Sequence, residues 1–147
     1  MIGRFEVFTL ALSEMTSSWN KIASEELKPY GLKGSCIVYL IALYKISDGL
    51  TAANLCEMCN RDKAEVSRAI KSLESKGFVV RQNTTVSGYR AKITLTDEGK
   101  KITAELREKI KLVVEEGGKG LTDEQREIFY DVLSKISCNL KSIANTK

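Results

Sequence analysis

The chain contains no histidine. That removes the most common general base and the most common metal ligand, and it weakens any reading as a hydrolase or a zinc enzyme. Proline occurs once, as Pro29, so long helices are permitted nearly everywhere else. No apolar run is long enough to span a bilayer. The first residues, MIGRFEVFTLALSEM, carry an acid early and no signal-peptide pattern, so the expectation is a cytoplasmic protein. In that setting the four cysteines, Cys36, Cys56, Cys59 and Cys138, are expected as thiols rather than disulfides. Nothing resembles a nucleophile–base pair or a phosphate-cradling glycine loop, so no enzyme and no cofactor is expected.

What remains is an ordinary globular composition of 147 residues, 43% hydrophobic and 29% charged, enough for one domain. Phe5, Phe8, Leu12, Met15, Trp19 and Ile22 follow helical spacing and predict a helix over 5–27, stopped by Lys28-Pro29-Tyr30-Gly31. The stretch SCIVYLIALYK predicts a second, central helix over 35–45, followed by the turn Ser47-Asp48-Gly49. Thr51 suits the cap of a short helix over 52–59, with Leu55, Cys56 and Cys59 on one side. After Asn60-Arg61, Asp62 and Glu65 make a capping-box pattern that opens a helix over 63–76. Its apolar stripe is Val66, Ala69, Ile70 and Leu73, and Gly77 ends it.

Residues 78–82 and 90–96 are β-rich and flank the polar tip TTVSGY, the pattern of a hairpin. Thr96 caps a helix over 97–116, with Ile102, Leu106, Ile110 and Val113 as its apolar positions. A Gly117-Gly118-Lys119-Gly120 break follows. Thr122 and Gln125 then open a last helix over 123–144, with Ile128, Phe129, Val132, Ile136, Leu140 and Ile143. The fold class expected is mainly α with a small β-hairpin: a winged helix-turn-helix with additional helices.

Charge placement points to a partner. Residues 51–96 hold eight Lys/Arg and four acids, which accounts for the whole net charge of +4. The remainder is neutral, with fifteen of each sign. On the helix over 63–76, the arc opposite the apolar stripe carries Lys63, Ala64, Ser67, Arg68 and Lys71. Small residues allow close approach to base edges, and the cations meet phosphates or guanine. An amphipathic helix with a merely solvated basic face has the same pattern, and only the basic middle of the chain tips the reading toward nucleic acid.

Three stretches, GLKGSCIVYLIALY, LTAANLCEMCNRDKAEVSRAIKSLESKGFVVR and YRAKITLTDEGKK, resemble the MarR family of bacterial regulators, as does the order of six helices with a wing between the fourth and fifth. The resemblance implies a single domain over 1–147, with 1–34 and 97–147 as dimerisation helices and 35–96 as the winged helix-turn-helix. It implies a homodimer that reads an inverted repeat in double-stranded DNA. The residues expected on DNA are Thr51, Lys63, Ala64, Ser67, Arg68 and Lys71, with Tyr89 and Arg90 from the wing. The family wing carries Asp two residues before its arginine, whereas Gly88 stands there in this chain. The function expected is a DNA-binding transcriptional regulator, a repressor responding to a small-molecule effector whose site the sequence leaves unassigned.

Two alternatives stand beside it. One is a winged helix used for protein contact. The other is a redox- or metal-responsive regulator using the Cys56-Glu57-Met58-Cys59 pair. A single CxxC without histidine is thin support for zinc, and small thiols beside Leu55 read more simply as packing groups. Phe5, Phe8 and Trp19 read as core or dimer interface before they read as an effector pocket.

Overall fold

A computed structural model describes residues 3–82 and 91–146. The chain divides into two compact units, Met1–Arg107 and Glu108–Lys147.

The first unit begins with α1, Arg4–Leu27, continued by a tight turn at Lys28–Tyr30 in which Pro29 sits where its missing N–H costs nothing. Gly31 adopts a left-handed φ of 70° and turns the chain out of the helix. The helix expected over 35–45 is split: Gly34–Cys36 forms a 3-10 turn, and α2 runs Ile37–Lys45. α2 is the core helix, with Ile37, Tyr39, Leu40, Ala42 and Leu43 buried. α3, Ala52–Cys59, and α4, Lys63–Ser75, follow and pack together. β1, Val79–Arg81, pairs antiparallel with β2, Ile93–Leu95, in the register Val79↔Leu95, Val80↔Thr94 and Arg81↔Ile93. Leu50 adds a bridge to Ile93, with bonds of 3.0 and 2.8 Å in the two directions, so the segment before α3 is stitched to the hairpin. The hairpin tip, including Gly88, Tyr89 and Arg90, lies outside the described residues.

The boundary between α4 and β1 has a clear local cause. Gly77 takes φ +80°, a conformation that a side chain would strain. This lets Phe78 N reach Leu73 O at 2.9 Å and Gly77 N reach Glu74 O at 3.0 Å, the paired bonds that close a helix C-terminus. α5, Asp97–Gly117, opens directly behind β2. Thr96 Oγ1 donates to Gly77 O at 2.6 Å and accepts from Gly99 N at 3.0 Å, so one hydroxyl joins the end of α4 to the start of α5. Ile102, Thr103 and Leu106 of α5 are buried, and the Thr103 hydroxyl is satisfied by Gly99 O at 2.7 Å.

The second unit holds the rest of α5 and α6, Asp123–Asn145. Thr122 caps α6 by accepting from Gln125 N, while Gln125 Oε1 accepts from Thr122 N at 2.9 Å, as the sequence pattern requires. Arg126 Nη2 ties the start of α6 to Gly118 O at 3.0 Å. No described residue of this unit is buried. Phe129, Val132, Ile136, Leu140 and Ile143 are at least partly open to solvent, at the three- and four-residue spacing that places them along one face of the helix. In the first unit, Phe5, Phe8, Leu12 and Met15 of α1 repeat that spacing and are exposed too, Phe5 at 86%.

Candidate nucleic-acid interface

α4 is fixed at both ends and along one side. At its N-terminus, Asp62 Oδ1 accepts from Glu65 N at 2.8 Å, and Glu65 Oε2 receives Asp62 N at a longer 3.4 Å. Two carboxylates therefore occupy the end of the helix where an anion would otherwise settle. Val66, Ile70 and Leu73 are buried, anchoring the helix, and Ala69 is half-buried at the edge of that stripe. What remains outward is a side face: Lys63, Ala64, Arg68 and Lys71 are exposed and Ser67 is half-buried. These five expected residues thus share one accessible face. Its chemistry suits a duplex: cations for phosphate or guanine, a hydroxyl, and an alanine that leaves room for close approach.

Thr51 sits at the start of α3, half-buried. Its Oγ1 accepts from Asn54 N at 3.1 Å, and Asn54 Oδ1 accepts from Thr51 N at 3.1 Å. Its acceptor role is committed to capping, which leaves the hydroxyl proton as the group it offers outward. Tyr89 and Arg90 lie outside the described residues.

The thiols are less uniform than the helical pattern suggested. Leu55 is fully buried, but Cys56 and Cys59 are only half-buried, because the α3 surface that meets its neighbours is centred on Leu55. Cys59 Sγ lies 3.8 Å from Val38 O, and burial pushes its thiol above the ordinary range. Cys36 is buried and is raised for the same reason, against a lowering pull from Lys33. All four cysteines are free, and no cluster of three or more metal-ligating side chains occurs among the described residues.

Two cations escaped the sequence reading. Lys33, ahead of α2, and Arg61, in the α3–α4 turn, line a cleft of about 230 Å³ together with Arg68. Their separation in sequence hides this; the packing of the Gly34–Cys36 turn against α4 brings them together.

A family model described as the MarR family matches residues 30–87, the stretch that holds α2 to β1. YybA, an uncharacterised HTH-type transcriptional regulator of Bacillus subtilis, is 28% identical over 122 residues, covering 83% of this chain and 81% of that protein. A MarR transcriptional regulator from Methanosarcina mazei has the same fold at a TM-score of 0.85, with 24% identity over 97% of this chain and 94% of that one. A MarR-family regulator from Listeria monocytogenes, solved in complex with 26mer DNA, superposes at 0.82, with 20% identity over 90% of this chain and 87% of that one. These relatives are described as regulators of transcription, not as enzymes. Among the described residues, no helix is long and apolar enough to cross a membrane. The matched segment, the curated relatives and the shared winged-helix fold agree: residues 30–87 match the MarR family model, and the chain has the fold of MarR regulators.

Proposed function

We propose that this chain is a MarR-family transcriptional regulator that binds duplex DNA as a homodimer and represses transcription by occupying an inverted-repeat operator. The observation that carries the reading is α4: a helix anchored by Val66, Ile70 and Leu73 that turns Lys63, Ala64, Ser67, Arg68 and Lys71 outward. Thr51 adds a hydroxyl from α3, and Tyr89 and Arg90 add the wing contact. The DNA complex of the Listeria relative supports the same use of this fold.

The homodimer rests on the two apolar seams, one on α1 and one on α6. Moving one large apolar side chain from water into a packed interface is worth about 1.5–3 kcal/mol, so leaving both seams wet is costly. Residues 1–34 and 97–147 supply the dimer contacts in this reading, and 35–96 the DNA contacts. A two-fold dimer presents two copies of α4 to one side of the duplex, which requires half-sites roughly 10–10.5 bp apart. A small-molecule effector that favours one spacing of the two copies would then control occupancy.

Selection of bound sequences from random duplexes, followed by fluorescence anisotropy across a salt series, tests the reading. The expected result is an inverted repeat bound with steep salt dependence. No enrichment of any sequence, together with salt-independent or absent binding, would overturn it in favour of a winged helix used for protein contact.

A further inference from the structure

Lys33 and Arg61 stand beside the face that α4 turns outward, not on it. Both are exposed, and neither forms an ion pair among the described residues. They share one cleft with Arg68 and an adjoining one with Lys28. Four cations therefore follow one another from the turn after α1 to α4. Among the described residues Glu65 is the one acid lining either cleft, and its carboxylate reaches back to Asp62 N at the start of the helix.

The backbone under both cations is held. Leu32, before Lys33, is buried, and Lys33 O accepts from Cys36 N at 3.0 Å. Gly34, after it, lies so close to α1 that a Cβ there would come within 2.8 Å of Ser24 N. Arg61 N donates to Cys56 O at 3.0 Å, just past Asn60, whose left-handed φ of 52° turns the chain out of α3. Cations presented from ordered backbone lose less freedom on binding than cations on a loose tail.

The geometry of a duplex says what meets them. A helix with its side chains is about 10–12 Å across, and the major groove is about 12 Å wide, so a helix seated there fills the groove. The side pointing inward meets base edges, and the flanks meet the sugar–phosphate backbones. On α4, Ala64, Arg68 and Lys71 point outward together, and Ser72 and Glu65 come next around the helix from Arg68. Those two residues border the cleft, so the cleft opens on one flank of α4.

We infer that Lys33 and Arg61 hold the phosphate backbone that borders the groove on this flank, extending the DNA contact to the turn ahead of α2. They read charge and not sequence, because a phosphodiester is the same at every step. The contact rests on the DNA-binding reading. Within that reading it moves Lys33, which lies in 1–34, from the dimer contacts to the DNA contacts.

The test uses the full chain, the selected operator and a shuffled duplex, followed by anisotropy across a salt series. Lys33→Gln and Arg61→Gln are compared with wild type and with Lys101→Gln. The last removes the same charge beside the far end of α2, where Lys101 lines a separate cleft with Leu43 and Tyr44. The slope of log affinity against log salt should drop by about 1 in each of the first two variants and keep the wild-type value in Lys101→Gln. At low salt each of the two should weaken operator and shuffled duplex alike, by about three- to tenfold, so the preference between them stays the same. A wild-type slope in either variant, an equal drop in Lys101→Gln, or an altered operator preference would overturn this contact and leave the functional reading in place. A wild type that binds no duplex at all would overturn both.

Discussion

The Tyr30 hydroxyl donates a hydrogen bond of 3.0 Å to Glu105 Oε2, joining the turn after α1 to α5. Two residues further along α5, the Arg107 guanidinium lies 4.7 Å from the centre of the Tyr44 ring on α2. Residues 105 and 107 point in nearly opposite directions on a helix, so α5 is held from two sides at the very end of the first unit. Tyr30 also meets Phe78 edge-on, with ring centroids 6.4 Å apart, which carries the same contact to the base of the hairpin.

Tyr30→Phe keeps that ring contact and removes only the donor. The expected loss is about 0.5–1.5 kcal/mol, toward the lower end because Glu105 is exposed. The Tyr30 phenol is raised above its ordinary value of 10.0, first by burial and then by Glu105. A raised folded pKa means that the contribution is complete below about pH 10 and disappears as pH climbs through the folded value. Urea unfolding of wild type and variant should therefore differ at pH 8 and converge at higher alkalinity. A gap that widens with pH would contradict the assignment.

Arg68→Ala and Lys71→Ala should weaken operator binding while leaving thermal unfolding nearly unchanged, since both side chains are exposed. A lost phosphate contact lowers the salt slope by about 1; a lost base contact costs about 1–3 kcal/mol and relaxes selectivity at one position. Arg90→Ala should cost less than Arg68→Ala, because Gly88 stands where the family wing carries an acid. Competition anisotropy with single-base operator variants measures each.

Gly99→Ala has an unusual sign. In a helix, alanine normally improves on glycine by about 0.5–1 kcal/mol. Here an added Cβ would run into the Phe78 carbonyl oxygen, a backbone atom that cannot swing aside. The substitution should instead destabilise by about 1–3 kcal/mol, seen as a lower urea midpoint. An unchanged or higher midpoint would mean that α5 and the strand base sit further apart.

Cys56→Ala and Cys59→Ala should each retain operator binding, and wild type should hold DNA in mild peroxide. The raised Cys59 pKa leaves little thiolate to oxidise. Roughly 1 kcal/mol of stability is the expected cost of either change. Peroxide-triggered release that either variant abolishes would promote the cysteine pair from packing group to sensor.

Sequence reading succeeds here wherever the cause is local. The Asp62–Glu65 and Thr122–Gln125 pairs act across three residues, and Gly77 decides its own φ, so the ends of α4 and the start of α6 are visible in the string. The basic face of α4 follows from periodicity alone. The 3-10 turn at Gly34–Cys36, the Leu50–Ile93 bridge and the meeting of Lys33 with Arg61 do not, because each depends on which distant element closes over it. The depth of Cys56 and Cys59 was misjudged for a related reason. Helical spacing groups them with Leu55, but a short helix buries only the centre of such a stripe. The partner reciprocating the Thr51 cap, Asn54, was hidden because the usual pattern has Glu or Gln there.

The Thr96 hydroxyl has a mechanical consequence. It grips the last carbonyl beyond α4 with its proton and the first turn of α5 with its lone pair, while Thr96 N holds Phe78 O at 3.0 Å. Helix end, strand base and helix start thereby meet at one residue, like spokes on a hub. Rotating the first turn of α5 against the end of α4 or the base of the strands would have to break at least one of these three bonds.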